Sequence, residues 1–270
     1  MRPPRGPVGR GRVDVVTHDE PGARVEIHTV EGRPLDVVRK GSSLRIGYPQ
    51  LSFESLFDSF RRPSTHDVVD VSVAVPVGAT VSVGVVTADG LVAGTGGSVT
   101  VSNVSGSVVT DGTEGDLTVR TVSGEVVSRG HRGSLTAKTV SGDVTASGAL
   151  TSVSFSSVSG EVTLDLTEQP SSVRASTVSG GVALRLPDPQ AVGYALRSTS
   201  GAVVVDGVRA QRPAGRKEWS GDRVDRPAPA GAGTVVVKAV SGDVSVVRRV
   251  ERGRAATDAA ADATGEGGDL

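Results

Sequence analysis

The chain has 270 residues, a formal net charge of −1, no cysteine, 36 glycines, one Trp, two Tyr and four Phe. Disulfides and cysteine-ligated metals are therefore excluded, and no global field draws the chain to nucleic acid or to an anionic membrane. Abundant Val, Ser, Thr and Gly with so few aromatics point to many short strands packed through small β-branched side chains.

Taken in chain order, residues 1–11 form a basic Arg-Gly tail (Arg2, Arg5, Arg10) that reads as disordered. Residues 12–66 hold alternating, strand-like stretches at Val13–Thr17, Ala23–His28 and Leu44–Tyr48. A different pattern follows. Phe53, Leu56, Phe57 and Phe60 fall at the spacing of one helical face, which predicts a short helix over about residues 51–60 capping the open end of the repeats, with a partner-binding or membrane-surface helix as the alternative. Glu54 and Asp58 on the other side argue against anionic lipid.

Residues 67–250 are organised on one hexapeptide: Asn-Val-Ser-Gly-Ser-Val at Asn103–Val108, then related units at Thr121–Val126, Thr139–Val144, Ser157–Val162 and Thr177–Val182, with looser copies at Ser198–Val203 and Ala239–Val244. Their glycines, Gly106, Gly124, Gly142, Gly160, Gly180, Gly201 and Gly242, make a turn ladder. A weaker unit lies halfway between, at Gly97, Gly115 and Gly133. The expected architecture is all-β: a single-domain parallel β-solenoid of about 18 residues per coil, with two short strands per coil and glycine supplying the positive φ of the corners. Inward positions are Val99 and Val101, Leu117 and Val119, Leu135 and Ala137, Val144 and Ala146, Val153 and Phe155, and Val162 and Leu164, with Thr100, Thr118, Thr136, Thr145 and Thr163 facing out. A lone coil buries too little to be stable, so stability is shared along the stack, roughly 40 Å long at about 4.8 Å per coil. Residues 211–233 interrupt the repeats as an inserted loop in which Trp219, beside Arg216 and Lys217, suits an interface anchor. Residues 251–270, rich in Ala, Asp and Gly, read as a disordered acidic tail.

With these units laid out, the chain resembles the bacterial adhesin-labelled β-strand-repeat family, domain of unknown function family 4097. The serial Val-Ser-Gly-Asp/Glu-Val units, the Val75–Ala79 segment entering the first coil and the strand ending in Ser43–Gly47 carry the resemblance, over about residues 12–250. It implies a parallel β-helix-like fold and no established activity. The long loop and the Phe-rich segment depart from the plain pattern.

Residues that carry chemistry are sparse. His18, His28, His66 and His131 lack metal-ligand spacing, and neither His-Glu-x-x-His nor Gly-x-Ser-x-Gly occurs. Gly94–Gly97 reads as a corner rather than a phosphate loop. Glu125, Asp143 and Glu161 recur on successive coils, an acidic ladder that invites either a cation such as Ca²⁺ or pairing with Arg120 and Lys138. The serines before the turn glycines are expected to bond nearby backbone.

The reading is a non-catalytic scaffold or adhesin-like interaction protein with no cofactor. Its expected contact is a protein partner or a surface polymer, through Trp219, Arg216, Lys217, Phe53, Phe57 and Phe60, with self-association through uncapped terminal coils and no nucleic acid. The alternatives are a binding partner in envelope-stress or regulatory signalling and a polysaccharide-acting β-helix enzyme. No apolar leader and no run of about 18 apolar residues is visible. As written the chain is expected to be cytoplasmic without a membrane span, and a mis-assigned start would place it at the cell surface.

Overall fold

The computed structural model describes residues 7–8, 10–32, 34–47, 68–187, 192–210, 223–230 and 232–249. Every regular element among them is a strand. The amino-terminal part runs β1 (Pro7–Val8), β2 (Arg10–His18), β3 (Arg24–Glu31), a hairpin of β4 (Asp36–Lys40) and β5 (Ser43–Gly47), and β6 (Val68–Pro76). The repeats continue as β7 (Val81–Val85), β8 (Asp89–Ala93), β9 (Val99–Asn103), β10 (Val108–Asp111), β11 (Glu114–Thr121), β12 (Val126–Thr139), β13 (Val144–Ser157), β14 (Val162–Leu166), β15 (Ser172–Thr177) and β16 (Val182–Pro187). The carboxyl-terminal part comprises β17 (Val192–Ser198), β18 (Val203–Val205), β19 (Val208–Arg209), β20 (Arg223–Arg226), β21 (Gly233–Ala239) and β22 (Val244–Arg249).

These strands stack as two parallel ladders around one core. On the first face Val81, Val99, Leu117, Leu135, Val153 and Val173 lie in register. On the second, Gly90, Val108, Val126, Val144, Val162 and Val182 do the same. β12 and β13 are each 14 residues long because they continue around the corner from one face to the other. The inward residues named from the alternation, Val99 to Leu164, are all buried, while the threonines between them are half-buried or exposed. Leucine and valine dominate this core because a coil of short strands leaves a lumen that small branched side chains fill.

The glycine ladder has a different cause from the one the sequence suggested. None of Gly106, Gly124, Gly142, Gly160, Gly180, Gly201 and Gly242 has a positive φ. A Cβ on Gly142 would instead run into the carbonyl oxygen of Gly124, and one on Gly160 into that of Gly142, so each turn is pressed against the turn before it. Positive φ belongs to the halfway corners, at Gly115 and Gly133.

The stacking order also departs from chain order at both ends. β21 and β22 pair with β15 and β16 on one side and with β17 and β18 on the other, so the last coil sits inside the stack and the coil before it lies outermost. Arg249 on β22 reaches back to Asp165 on β14, Nη2 to Oδ1 at 2.6 Å, and Arg185 flanks the same carboxylate at 3.5 Å. At the other end β2 lies between β6 and β8. Strands near both ends of the described chain therefore have two partners each, which protects them from fraying.

Three of the outer edges carry antiparallel strands. β3 pairs antiparallel with β6, β20 with β17, and β19 with β18. Asp206 and Gly207, with φ of 51° and 79°, form the two-residue turn that folds β19 onto β18, the positive-φ pair such a hairpin requires. These antiparallel strands cover both faces at the carboxyl-terminal end and the second face at the amino-terminal end, while β7 on the first face pairs outward with β1 over Pro7–Val8. The helix expected over residues 51–60 lies outside the described residues. β1 and the start of β2 occupy part of the segment read as a disordered tail, and β20 lies within the segment read as a loop.

Tyr194, on the outermost coil, points inward and is 4% exposed, and its hydroxyl has no hydrogen-bond partner. Burial first, and the nearby Asp206 carboxylate second, push its pKa up to about 12. A phenol that ionises near pH 10 when unfolded but near 12 when folded holds its proton longer in the native state, so stability is intact below about pH 10 and falls through about pH 12. Tyr194→Phe is expected to flatten this alkaline loss without lowering stability at neutral pH. Urea unfolding across that pH range checks it, and a variant curve parallel to the wild type would refute the assignment.

Candidate functional site

The repeat hexapeptide builds the most regular outward feature of the molecule. Its first residue turns inward and closes the corner: the backbone N–H of Gly142 donates to Thr139 Oγ1 at 2.8 Å, with Thr121, Ser157 and Thr177 doing the same for their own glycines. The serine bonds backbone as expected, but across coils. Ser141 Oγ donates to Val122 O at 3.2 Å and Ser159 Oγ to Val140 O at 3.2 Å, alongside backbone bonds from the same residues at 2.8 Å. These bonds tie each corner to the corner below and leave the valine between them facing out.

That valine is the residue the sequence reading missed. Val140, Val158, Val178 and Val240 are 49%, 51%, 49% and 50% exposed, stacked on consecutive coils above the half-buried Val86, Val104 and Val122. The alternation held the signal. With Val119 inward and Arg120 outward, Thr121 faces in and Val122 must face out. The result is a continuous apolar ridge of about 30 Å, at about 4.8 Å per coil.

A row of charge runs along each side of the ridge. On the first face Arg120, Lys138, Ser156, Ser176, Lys238 and Arg197 stack in register, all exposed. On the second, Glu125, Asp143, Glu161 and Asp243 are exposed just after the turn. The aspartates in this row do structural work too: Asp143 Oδ1 accepts the N–H of Glu161 at 2.8 Å, and Asp243 Oδ1 that of Ala202 at 2.7 Å. No group of three or more His, Cys, Asp or Glu able to hold a metal occurs among the described residues.

A second polar cluster lies inside the stack. His131 is fully buried, with Nδ1 2.9 Å from both Thr113 Oγ1 and Thr113 O, and Nε2 3.1 Å from Ser134 O. Each ring nitrogen faces a carbonyl that can only accept, so the tautomer sets whether Nε2–H donates to Ser134 O or Nδ1–H donates to Thr113 O. Thr95, Thr110 and Ser128 are buried on neighbouring coils with hydroxyls that have no partner. The side chains of Thr95, Thr110, Thr113, Ser128 and His131 are all fully buried, and together they form a polar seam in the core. Replacing Thr110 by the isosteric valine removes an unpaired buried hydroxyl and is expected to raise stability by about 1 kcal/mol. A fall of that size in the unfolding free energy measured in urea would show that the hydroxyl is hydrogen-bonded in solution.

The remaining residues singled out in the sequence, Trp219, Arg216, Lys217, Phe53, Phe57 and Phe60, lie outside the described residues. No helix among the described residues is long and apolar enough to cross a membrane.

A stack of mostly parallel strands, with small apolar residues inside and similar turns stacked in file, is a β-solenoid. The chain belongs to the Toastrack DUF4097 family, whose model matches residues 10–247. No curated protein matches it. A solved protein from Clostridium sporogenes ATCC 15579, named for a conjectured cell adhesion role, is similar at 12% identity over 90% of each chain, with a TM-score of 0.27.

Proposed function

We propose that the protein is a non-catalytic scaffold whose rigid coils of about 18 residues present their outer faces to a protein partner or a surface polymer. The observation that carries this reading is the contrast between inside and outside. The inward positions are closed by packing, whereas the repeated outward positions at the corner hold ordered rows of Val, Ser, Lys, Arg, Asp and Glu. Family membership supports the fold and names neither an activity nor a partner. The buried histidine is enclosed by its own corner, which favours a scaffold over an enzyme. The test is a panel of purified surface polymers and captured proteins, assayed for both retention on the immobilised full chain and release of new reducing ends. Retention without release is the expected result. Reproducible release would replace the scaffold with an enzyme.

A further inference from the structure

The ridge has an asymmetry that selects its own partner. Within one coil the basic residue precedes the valine by two positions and the acidic residue follows it by three, as in Arg120, Val122 and Glu125, in Lys138, Val140 and Asp143, and in Lys238, Val240 and Asp243. Basic side, apolar crest and acidic side therefore repeat at the same height in each of these coils. None of Arg120, Lys138 and Lys238 forms an ion pair among the described residues.

We propose that this ridge is an interface for a second copy of the chain, the two solenoids lying side by side and parallel about a two-fold axis that runs along the stack. A rotation about that axis keeps every coil at its own height and exchanges left for right. Each valine then meets its own counterpart, and the basic row of one copy faces the acidic row of the other, Arg120 opposite Glu125 and Lys138 opposite Asp143. An antiparallel pairing would set basic on basic and acidic on acidic, so the charge pattern excludes it. A crest about 30 Å long, with the charged rows widening it to about 20–25 Å, covers about 600–750 Å² per copy, close to the roughly 800 Å² of a standard interface. The apolar crest supplies the driving force, and the exposed charge rows set direction. The association is lateral, and it holds whatever else the scaffold binds.

The chain has no cysteine, so single substitutions report the geometry cleanly. Val122→Cys and Val240→Cys, each alone in the full chain, are expected to give disulfide-linked homodimers on mild oxidation, because the parallel two-fold places both residues opposite themselves. Sedimentation of the unmodified protein over a concentration series is expected to show a monomer–dimer equilibrium. Arg120→Glu with Lys138→Glu should weaken it at least about tenfold, and adding Glu125→Arg with Asp143→Lys should restore it, with melting curves recorded throughout. A monomer at every concentration overturns the proposal. So does cross-linking at only one of the two cysteine positions, or a second pair of reversals that deepens the loss in folded protein.

Discussion

Gly142→Ala is expected to lower the stability of the stack by about 3 kcal/mol, at the upper end of what overpacking costs. The added methyl would overlap the carbonyl oxygen of Gly124 and would also meet Thr121 Cγ2 at 2.9 Å and Thr139 Oγ1 at 3.0 Å. Backbone lies on one side and the corner-closing threonines on the other, so no flexible side chain can yield. The φ of Gly142 is not positive, so the whole penalty comes from proximity. Gly112→Ala supplies the contrast. Gly112 has a φ of 57° but nothing within 4 Å of an added Cβ, so only the left-handed backbone penalises it, by about 1–2 kcal/mol. Urea unfolding of the two variants gives the comparison, and equal losses would mean that the turns are not pressed together.

Truncation after Ala232 is expected to do more than remove one coil. It deletes β21 and β22 from between two others, with the fully buried Val235, Val237, Val244 and Val246. At about 1.5–3 kcal/mol for each buried valine side chain, the loss approaches the 5–15 kcal/mol that holds a whole domain together. β17 and β18 lose their parallel partners on that side, so hydrogen exchange should show protection gone from β17, β18 and β20 as well as from the new edge at β15 and β16. Were the coils stacked in chain order, the same truncation would remove only a terminal coil and leave β17 and β18 protected on β15 and β16.

The inward rows were legible because a period of two is enforced wherever one side of a strand is buried. Val119, Ala137 and Phe155 could sit nowhere else. The same counting reaches Val122 and Val140, yet a valine invites the assumption of burial, so the ridge stayed hidden behind a residue-type rule that holds in one direction only. The coil order was illegible for a different reason. The units around Gly180, Gly201 and Gly242 present nearly the same turn, and any of them can rest on any other, so local sequence does not say which neighbour each takes. The only hint was the wide gap between Gly201 and Gly242, long enough to let the chain pass the outer coil and return. The polar seam of Thr95, Thr113 and His131 escaped because residues where the chain turns from one face to the other follow neither periodicity.

Whether the last coil lies inside the stack is tested most directly by paired cysteines on the second face, where Ala183 stands beside Ser245 and Ser245 beside Val204. Neighbouring parallel strands bring Cα atoms to about 4.8 Å, within disulfide reach, whereas strands two places apart are about 10 Å away and out of reach. Ala183→Cys with Ser245→Cys should therefore close an intramolecular disulfide on mild oxidation, and Ala183→Cys with Val204→Cys should not. The reverse outcome, a disulfide between positions 183 and 204 with free thiols at 183 and 245, would contradict the inserted coil.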